Sequence, residues 1–338
     1  MVKVKEIIIK KLKESKHDYV SGEELSSILG VSRTAVWKCI NELKKEGYVI
    51  DSSSKKGYKL CYVPDIINPW EIKEGLDTNI IGKDIHCFFE VDSTNNHAKT
   101  LAQDGCDDGT VVLAERQTRG RGRLGRSWDS MDRKGIWMSV VLRPAVGLED
   151  VQIITLAASV AVVSALKKEM DIDAGIKWPN DIILGGKKVC GILTEMSMEM
   201  ERINFLVLGI GMNFSHEKSD FPEEIRDRAT SLGIYLKEKK GLDISEFRRS
   251  HLVKAILSEL ERVYDIINKG KAGVIIEEWK KYSVTLGKEV LIKYREDQYT
   301  GIAEDIDQNG RLIVKQGDGT VREVLSGEVS VRGLLGYT

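Results

Sequence analysis

The stretch 118-TRGRGRLGR-126 sets Arg119, Arg121, Arg123 and Arg126 among Gly120, Gly122 and Gly125. Residues of these types at this spacing hold an anion. Guanidinium groups donate paired hydrogen bonds to phosphate or carboxylate, and glycine lets the backbone approach. The glycines also spell G-x-G-x-x-G, which as a dinucleotide loop must follow a strand and open a helix. A strand is predicted over 110–115, but 126-RSWDSMDRKG-135 has no helical period, and 139-SVVLRP-144 lacks the acidic residue such a loop requires. An RNA-binding Arg-Gly segment is the second reading, yet such segments lie in disordered tails, and this one lies between two apolar strands. The third reading is a lid. Four like charges repel and three glycines free the backbone, so the loop is expected to be loose when empty and to close over a phosphate or carboxylate. Trp128 follows it, suited to cover a flat ligand face.

The most heavily loaded segment is 177-KWPNDIILGGKKVCGIL-193. Pro179 fixes a turn beside Trp178, and Asn180 and Asp181 sit where the turn meets a strand. Asp181 has the chemistry of a metal ligand or a base. Gly185-Gly186 makes a hairpin that returns Lys187 and Lys188, and Gly191 leaves room for close approach. Taken singly, Lys-Trp-Pro-Asn-Asp is an ordinary turn and Lys188 a solvated lysine. His86, His97, His216 and His251 are scattered, and surface or packing roles suit them.

Elements must hold these segments in place. Residues 4–16 put Val4, Ile8 and Leu12 on one helical face. In 21-SGEELSSILG-30, Ser21 and Glu24 fit a capping box, Leu25, Ile28 and Leu29 form the apolar face, and Gly30 is the stop. A second helix runs over 32–46 from the N-cap Ser32, with Val36, Ile40 and Leu43 inward. With the basic hairpin 48–61 these make a winged helix-turn-helix. Ser32, Arg33, Thr34, Trp37 and Lys38 on its second helix, and Lys55 and Lys56 at the hairpin tip, are candidates for DNA contact. Residues 1–62 carry 13 Lys+Arg against 8 Asp+Glu, the remainder 38 against 44, so the basic end favours a polyanion. Pro64 and Pro69 bracket a linker. Strands are predicted over 85–91, 110–115, 136–142, 182–186, 189–196 and 203–213, and helices over 94–103, 148–170 and 247–268. From 286 onward short strands alternate with Asn309-Gly310 and Asp318-Gly319 turns, a small β-barrel. The expected fold is multidomain α+β: winged helix-turn-helix at 1–63, mixed α/β domain at 64–283, barrel at 284–338. The apolar run near 153–166 is too short to span a bilayer and reads as a core helix. Five widely spaced cysteines without a C-x-x-C, and an N-terminus without a signal-peptide core, fit a cytoplasmic protein with no membrane partner.

As a set, 92-DSTN-95, Gln117, 120-GRGRLGR-126 with Trp128, 177-KWPND-181, 188-KVCGIL-193 and 209-GIGMN-213 resemble the biotin–protein ligases. With the preceding winged helix the chain is similar to their bifunctional class, which also represses biotin-synthesis genes. The resemblance covers essentially the whole chain. It implies a class II synthetase-like central domain, an SH3-like C-terminal barrel, and Mg-ATP and biotin as substrates without a permanently bound cofactor. The reaction it implies forms biotinyl-5′-AMP and moves biotin to a lysine of a biotin carboxyl carrier protein. It implies operator DNA as a further partner, and a homodimer when biotinyl-AMP is bound. Ser93, Thr94, Asn95, Gln117, Arg121, Gly122, Arg123 and Lys188 would then bind biotin. Arg121, Trp128, Lys177, Asn180, Asn213 and Arg332 would bind nucleotide. Lys188, Arg123 and Asp181 would be catalytic, with Asp181 as base or Mg²⁺ partner and no dedicated metal site.

Some positions depart from the family pattern. Arg119 stands where a small residue is expected, and Leu124 replaces a basic residue of some members, which bears on loop-mediated dimerisation. Cys190 takes a usually small position and is expected to make the site thiol-sensitive. Two other functions fit the same residues: a lipoate-type ligase, and a ligand-sensing repressor without ligase chemistry.

Overall fold

The computed structural model describes residues 2–15, 18–199, 202–294, 297–326 and 329–333. The chain divides into two compact units, residues 1–66 and 67–338.

The first unit runs α1 (Val2–Glu14), α2 (Gly22–Leu29), α3 (Arg33–Lys45), β1 (Val49–Ser53) and β2 (Gly57–Tyr62), the last two an antiparallel hairpin. Its ends follow side-chain chemistry. Ser21 accepts from the Glu24 amide at 3.0 Å, Ser32 accepts from the Ala35 amide at 3.2 Å, and Gly30 closes α2 at φ +63°. Ile8, Leu12, Leu25, Val36, Ile40 and Leu43 are buried together with Ile9. Ile28 is not on the inner face as expected: it is 50% exposed, because the short α2 turns only Leu25 fully inward.

The region between Pro64 and Pro69, where the first unit ends and the second begins, is not wholly a linker. Asn68 caps a short helix, α4 (Pro69–Lys73), by accepting from the Glu71 amide, and Pro69 serves as its first residue. Next come β3 (Ile85–Val91), α5 (Thr94–Gln103), β4 (Val111–Gln117), β5 (Gly135–Leu142) and α6 (Val151–Met170). Then follow β6 (Gly175–Lys177), β7 (Asp181–Leu184), β8 (Lys187–Glu199), β9 (Arg202–Asn213), α7 (Leu232–Lys239), α8 (Arg249–Asn268) and α9 (Ala272–Tyr282). Among the described residues one sheet has the order β3-β4-β5-β9-β8-β7-β6, with only the β3–β4 pair parallel. In β4, β5 and β9 the two faces separate by alternation. Val112, Val141, Phe205 and Val207 pack with Ala98 and Ala102 of α5, while Val111, Leu113, Val140 and Leu142 join the large core of α6 and α8. Helices on both faces explain why every residue of β5 is buried. Helix α6 is buried nearly all round, as expected for the core helix.

The C-terminal strands β10 (Glu289–Tyr294), β11 (Asp297–Ile306), β12 (Leu312–Lys315), β13 (Val321–Val324) and β14 (Val329–Gly333) form an antiparallel sheet ordered β13-β12-β11-β10-β14. It packs into the second unit. Val290, Ile292, Leu312 and Val314 share the large core, and the Trp178 indole donates to the Gly310 carbonyl at 3.1 Å. Turn 309–310 is therefore a docking point as well as a hairpin.

One buried ion pair ties these parts together. Arg249, fully buried at the start of α8, donates to Glu115 at 2.6 Å and to the Gly135 carbonyl at 3.2 Å. Glu115 also accepts from the amide of Ile67, the first residue of the unit, at 2.8 Å. Removing one partner strands a buried charge. Arg249→Met is expected to lower stability by about 3–5 kcal/mol, measured by urea unfolding, and Arg249→Met with Glu115→Gln together to cost less than the two losses added.

Candidate active site

The loop 118–130 leaves β4 and returns to β5 as a folded excursion. Gly122 donates to the Arg126 carbonyl at 2.7 Å, Trp128 to the Gly120 carbonyl at 2.9 Å, and Gln117 to the Ser130 carbonyl at 3.2 Å. No helix follows it; residues 123–125 make one 3-10 turn, so the dinucleotide reading has no structural support. The arginines do not crowd. Arg123 donates to Asn180 Oδ1 at 3.0 Å and to the Ser326 carbonyl. Arg121 has different partners: it donates to Asn96 Oδ1 at 2.9 Å and pairs with Glu195 at 3.1 Å. Burial lowers the Arg123 guanidinium from its ordinary value, and the nearby Asp181 charge opposes this.

Opposite the loop, Gly185 and Gly186 both have positive φ (+54° and +78°), the turn that brings β8 back along β7. The return carries a bulge: Ile183 faces Lys188 while Ile182 faces Cys190. The extra residue breaks alternation. Val189 and Cys190 both enter the core, and Lys188 and Gly191 both face the cavity. Cys190 is therefore not a site residue. Its thiol is fully buried and pushed up by desolvation, so the expected thiol sensitivity does not follow from this position. Lys188 Nζ lies 2.5 Å from Asp181 Oδ1 and 5.1 Å from the centre of the Trp128 ring. Asn180 is held by its Nδ2, which donates to the Ile192 carbonyl at 2.8 Å, leaving Oδ1 for Arg123.

The floor is made of glycine. Gly191 and Gly211 are paired across β8 and β9. A Cβ on Gly211 would stand 2.8 Å from the Trp128 indole nitrogen, and one on Gly191 3.1 Å from the same ring. Trp128 can lie on the sheet only because both side chains are missing. The third wall is the N-terminus of α5. The Ser93 hydroxyl makes no capping bond and lines the cavity. The Thr94 amide donates to Gln117 Oε1 at 2.8 Å, and Gln117 Nε2 donates to Ser130 Oγ at 2.7 Å.

All the predicted ligand residues from Ser93 to Asn213 line one cavity of about 870 Å³, within the range of small-molecule sites. Arg332 lies in β14, but its side chain is outside the described residues. In the N-terminal unit, Ser32, Arg33, Thr34, Trp37 and Lys38 are exposed on α3, and Lys55 and Lys56 at the hairpin tip. Trp37 is 55% exposed, unusual for a tryptophan without a partner surface. Among the described residues no group of three His, Cys, Asp or Glu is placed to hold a metal.

A sequence model of the biotin/lipoate A/B protein ligase family matches residues 88–213. Models of a helix-turn-helix domain and of the biotin protein ligase C-terminal domain match 5–59 and 285–332. The bifunctional ligase/repressor BirA of Bacillus subtilis is 36% identical over 96% of this chain and 97% of its own length. The chain belongs to the biotin/lipoate A/B protein ligase family. The bifunctional ligase/repressor BirA of Escherichia coli is 26% identical over 93% of this chain and 94% of its own. The solved biotin protein ligase from Aquifex aeolicus in complex with biotin and ATP superposes with a TM-score of 0.62 at 31% identity, covering 74% of this chain and 99% of that one.

Sequence reasoning missed one wall of the site. The segment 214–231 lines the cavity with His216, Asp220, Phe221, Ile225 and Arg228. Its folding signals were present: Ser231 caps α7 and accepts from the Ile234 amide, while donating to the His216 carbonyl at 2.6 Å. The His216 ring stacks on Phe221 at 5.4 Å and meets Trp137 edge-on at 6.0 Å. Burial pushes the imidazole down to about 4, against the opposing charge of Asp220. A His whose folded value lies below its unfolded value of about 6.5 favours the fold while neutral. Its contribution is complete above that value and is lost as pH falls toward 4. His216→Phe keeps the stack and cannot titrate. Between pH 6.5 and 4 it should flatten the stability curve by roughly 2–3 kcal/mol, measured by denaturant unfolding at each pH.

Proposed function

We propose that the chain is an ATP-dependent biotin–protein ligase and a biotin-responsive transcriptional repressor. The observation that carries the reading is the convergence of the Arg-Gly loop, Lys188 with Asp181, and the polar α5 terminus on one cavity. In the first step a carboxylate oxygen of biotin attacks the α-phosphorus of ATP. The bond to the bridging oxygen breaks, and diphosphate leaves with its electron pair. In the second, the acceptor lysine amine attacks the mixed anhydride carbonyl and AMP departs, while the nitrogen gives up its proton.

Neither step needs a covalent enzyme intermediate, so the protein contributes position and field. In this reading Ser93, Thr94, Asn95 and Gln117 meet the ureido ring with donors and acceptors. Lys188 holds carboxylate and α-phosphate together and stabilises charge on phosphorus. Arg121, Gly122 and Arg123 belong to the loop that closes over the adenylate, with Trp128, Lys177, Asn180, Asn213 and Arg332 on the nucleotide side. Mg²⁺ enters with the triphosphate, and Asp181 is the candidate base or metal-facing carboxylate. Boundaries near 63 and 283 separate DNA-binding, ligase and C-terminal parts. Operator DNA and a biotin carboxyl carrier protein are the partners, and the adenylate-bound chain forms the homodimer that spans two half-sites.

Purified protein with Mg-ATP should release diphosphate with biotin and add one biotinyl mass to a carrier domain. Release with lipoate alone moves the reading to the lipoate ligases, and tight biotin binding with neither product leaves a sensor. Lys188→Gln should slow diphosphate release by roughly 100-fold or more in single turnover while leaving the unfolding midpoint unchanged. On the DNA side, Lys55→Ala and Lys56→Ala should each reduce the slope of log K against log salt by about one, read by anisotropy on any duplex. Sedimentation with and without biotinyl-AMP tests the dimer.

A further inference from the structure

The carboxylate of Glu195 has no place in the chemistry above, yet it stands at the junction of three parts of the site. On β8, Gly191 and Leu193 line the cavity, and Glu195 is the next residue on that face. One of its oxygens accepts from Asn95 Nδ2 at 2.8 Å, and the other lies 3.1 Å from Arg121 NH2. Arg121 completes the knot by donating through NH1 to Asn96 Oδ1 at 2.9 Å. Asn95 is seated with equal care. Its Oδ1 lies 2.6 Å from Ser139 Oγ, and a Cβ on Gly209 would stand 2.2 Å from that same oxygen.

We propose that Glu195 is a positioning residue that latches the Arg-Gly loop to the biotin cradle, an inference that rests on the ligase reading. An ionised carboxylate only accepts, so it dictates that the Asn95 amide nitrogen faces it and the amide oxygen faces Ser139. The same charge pairs with Arg121 where its guanidinium lines the cavity. The guanidinium thereby anchors the front of the loop. Because Asn95 and Arg121 share one carboxylate, a ligand that fixes Asn95 also favours the closed loop, and the coupling is reciprocal.

Glu195→Gln separates the two halves of the latch. Its amide oxygen still accepts from Asn95, while the charge that holds Arg121 is gone. The full-length variant should bind biotin within about threefold of wild type but release preformed biotinyl-AMP roughly tenfold faster, the scale of one charge-assisted hydrogen bond. Without any ligand, trypsin should cut the variant within 119–126 faster than wild type. In an Arg121→Gln background, Glu195→Gln should add nothing to adenylate release. Additive effects, or unchanged adenylate release and unchanged cleavage, overturn the latch. The trypsin readout requires no ligase activity. A wild-type protein that makes no biotinyl-AMP therefore refutes the ligase reading, while the cleavage rates still decide whether Glu195 holds the loop.

Discussion

The organising constraint is like-charge repulsion inside a concave site. Among the described residues, Arg121, Arg123, Arg126, Lys177, Lys187, Lys188 and Arg228 line the cavity, against the carboxylates of Asp129, Asp181, Asp220 and Asp227. Bringing that many cations close without their ligand is unfavourable unless each has an outlet. The fold supplies outlets one at a time. Lys188 is neutralised by Asp181 and lies over an aromatic face. Arg123 is spread between a side-chain oxygen and a main-chain carbonyl. Arg121 is paired with Glu195 and donates to Asn96. A polyphosphate or adenylate entering this site meets cations in excess of carboxylates, already held in position.

Holding such groups at fixed distances requires a rigid background, and the sheet provides it by omission. Gly191, Gly209 and Gly211 lie at alternate positions of neighbouring strands. Each missing Cβ admits a side chain from elsewhere: Trp128 onto the first and last, Asn95 onto the second. Larger residues at these points would favour strand formation, and the fold forgoes that preference to seat the loop and the α5 terminus directly on the sheet. The bulge beside Lys188 is a similar concession, a break in regular pairing that re-aims one lysine.

Much of this was legible in the sequence because it was written in local chemistry. Capping serines, the Gly-Gly turn and the alternating strands carry their own rules, and the elements appeared close to where those rules put them. The loop could be assigned because the sequence after Gly125 has no helical period. Three features needed tertiary contacts instead. Cys190 sits between Lys188 and Gly191 in sequence, and only the unpaired extra residue of the bulge turns it to the core. Arg121 and Arg123 are two residues apart and look equivalent, yet they find different partners distant in sequence, Glu195 and Asn180. The wall 214–231 has no regular periodicity. It is held by single bonds such as Asn213 Nδ2 to the Thr230 carbonyl and by the His216–Phe221 stack.

The buried Arg249–Glu115 pair gives the second unit a defined mechanical entrance. Ile67 is its first residue, and the Ile67 amide is fastened to Glu115. Glu115 is two residues from Gln117, which accepts from Thr94 at the cavity wall. Arg249 also grips Gly135, whose strand partner is Asn213. The bidentate pair that fastens β4 to α8 is buried, so breaking it is costly. A short path of charge and main-chain hydrogen bonds thus joins the cavity wall at Thr94 to Ile67, alongside the apolar core that Ile67 and β4 share.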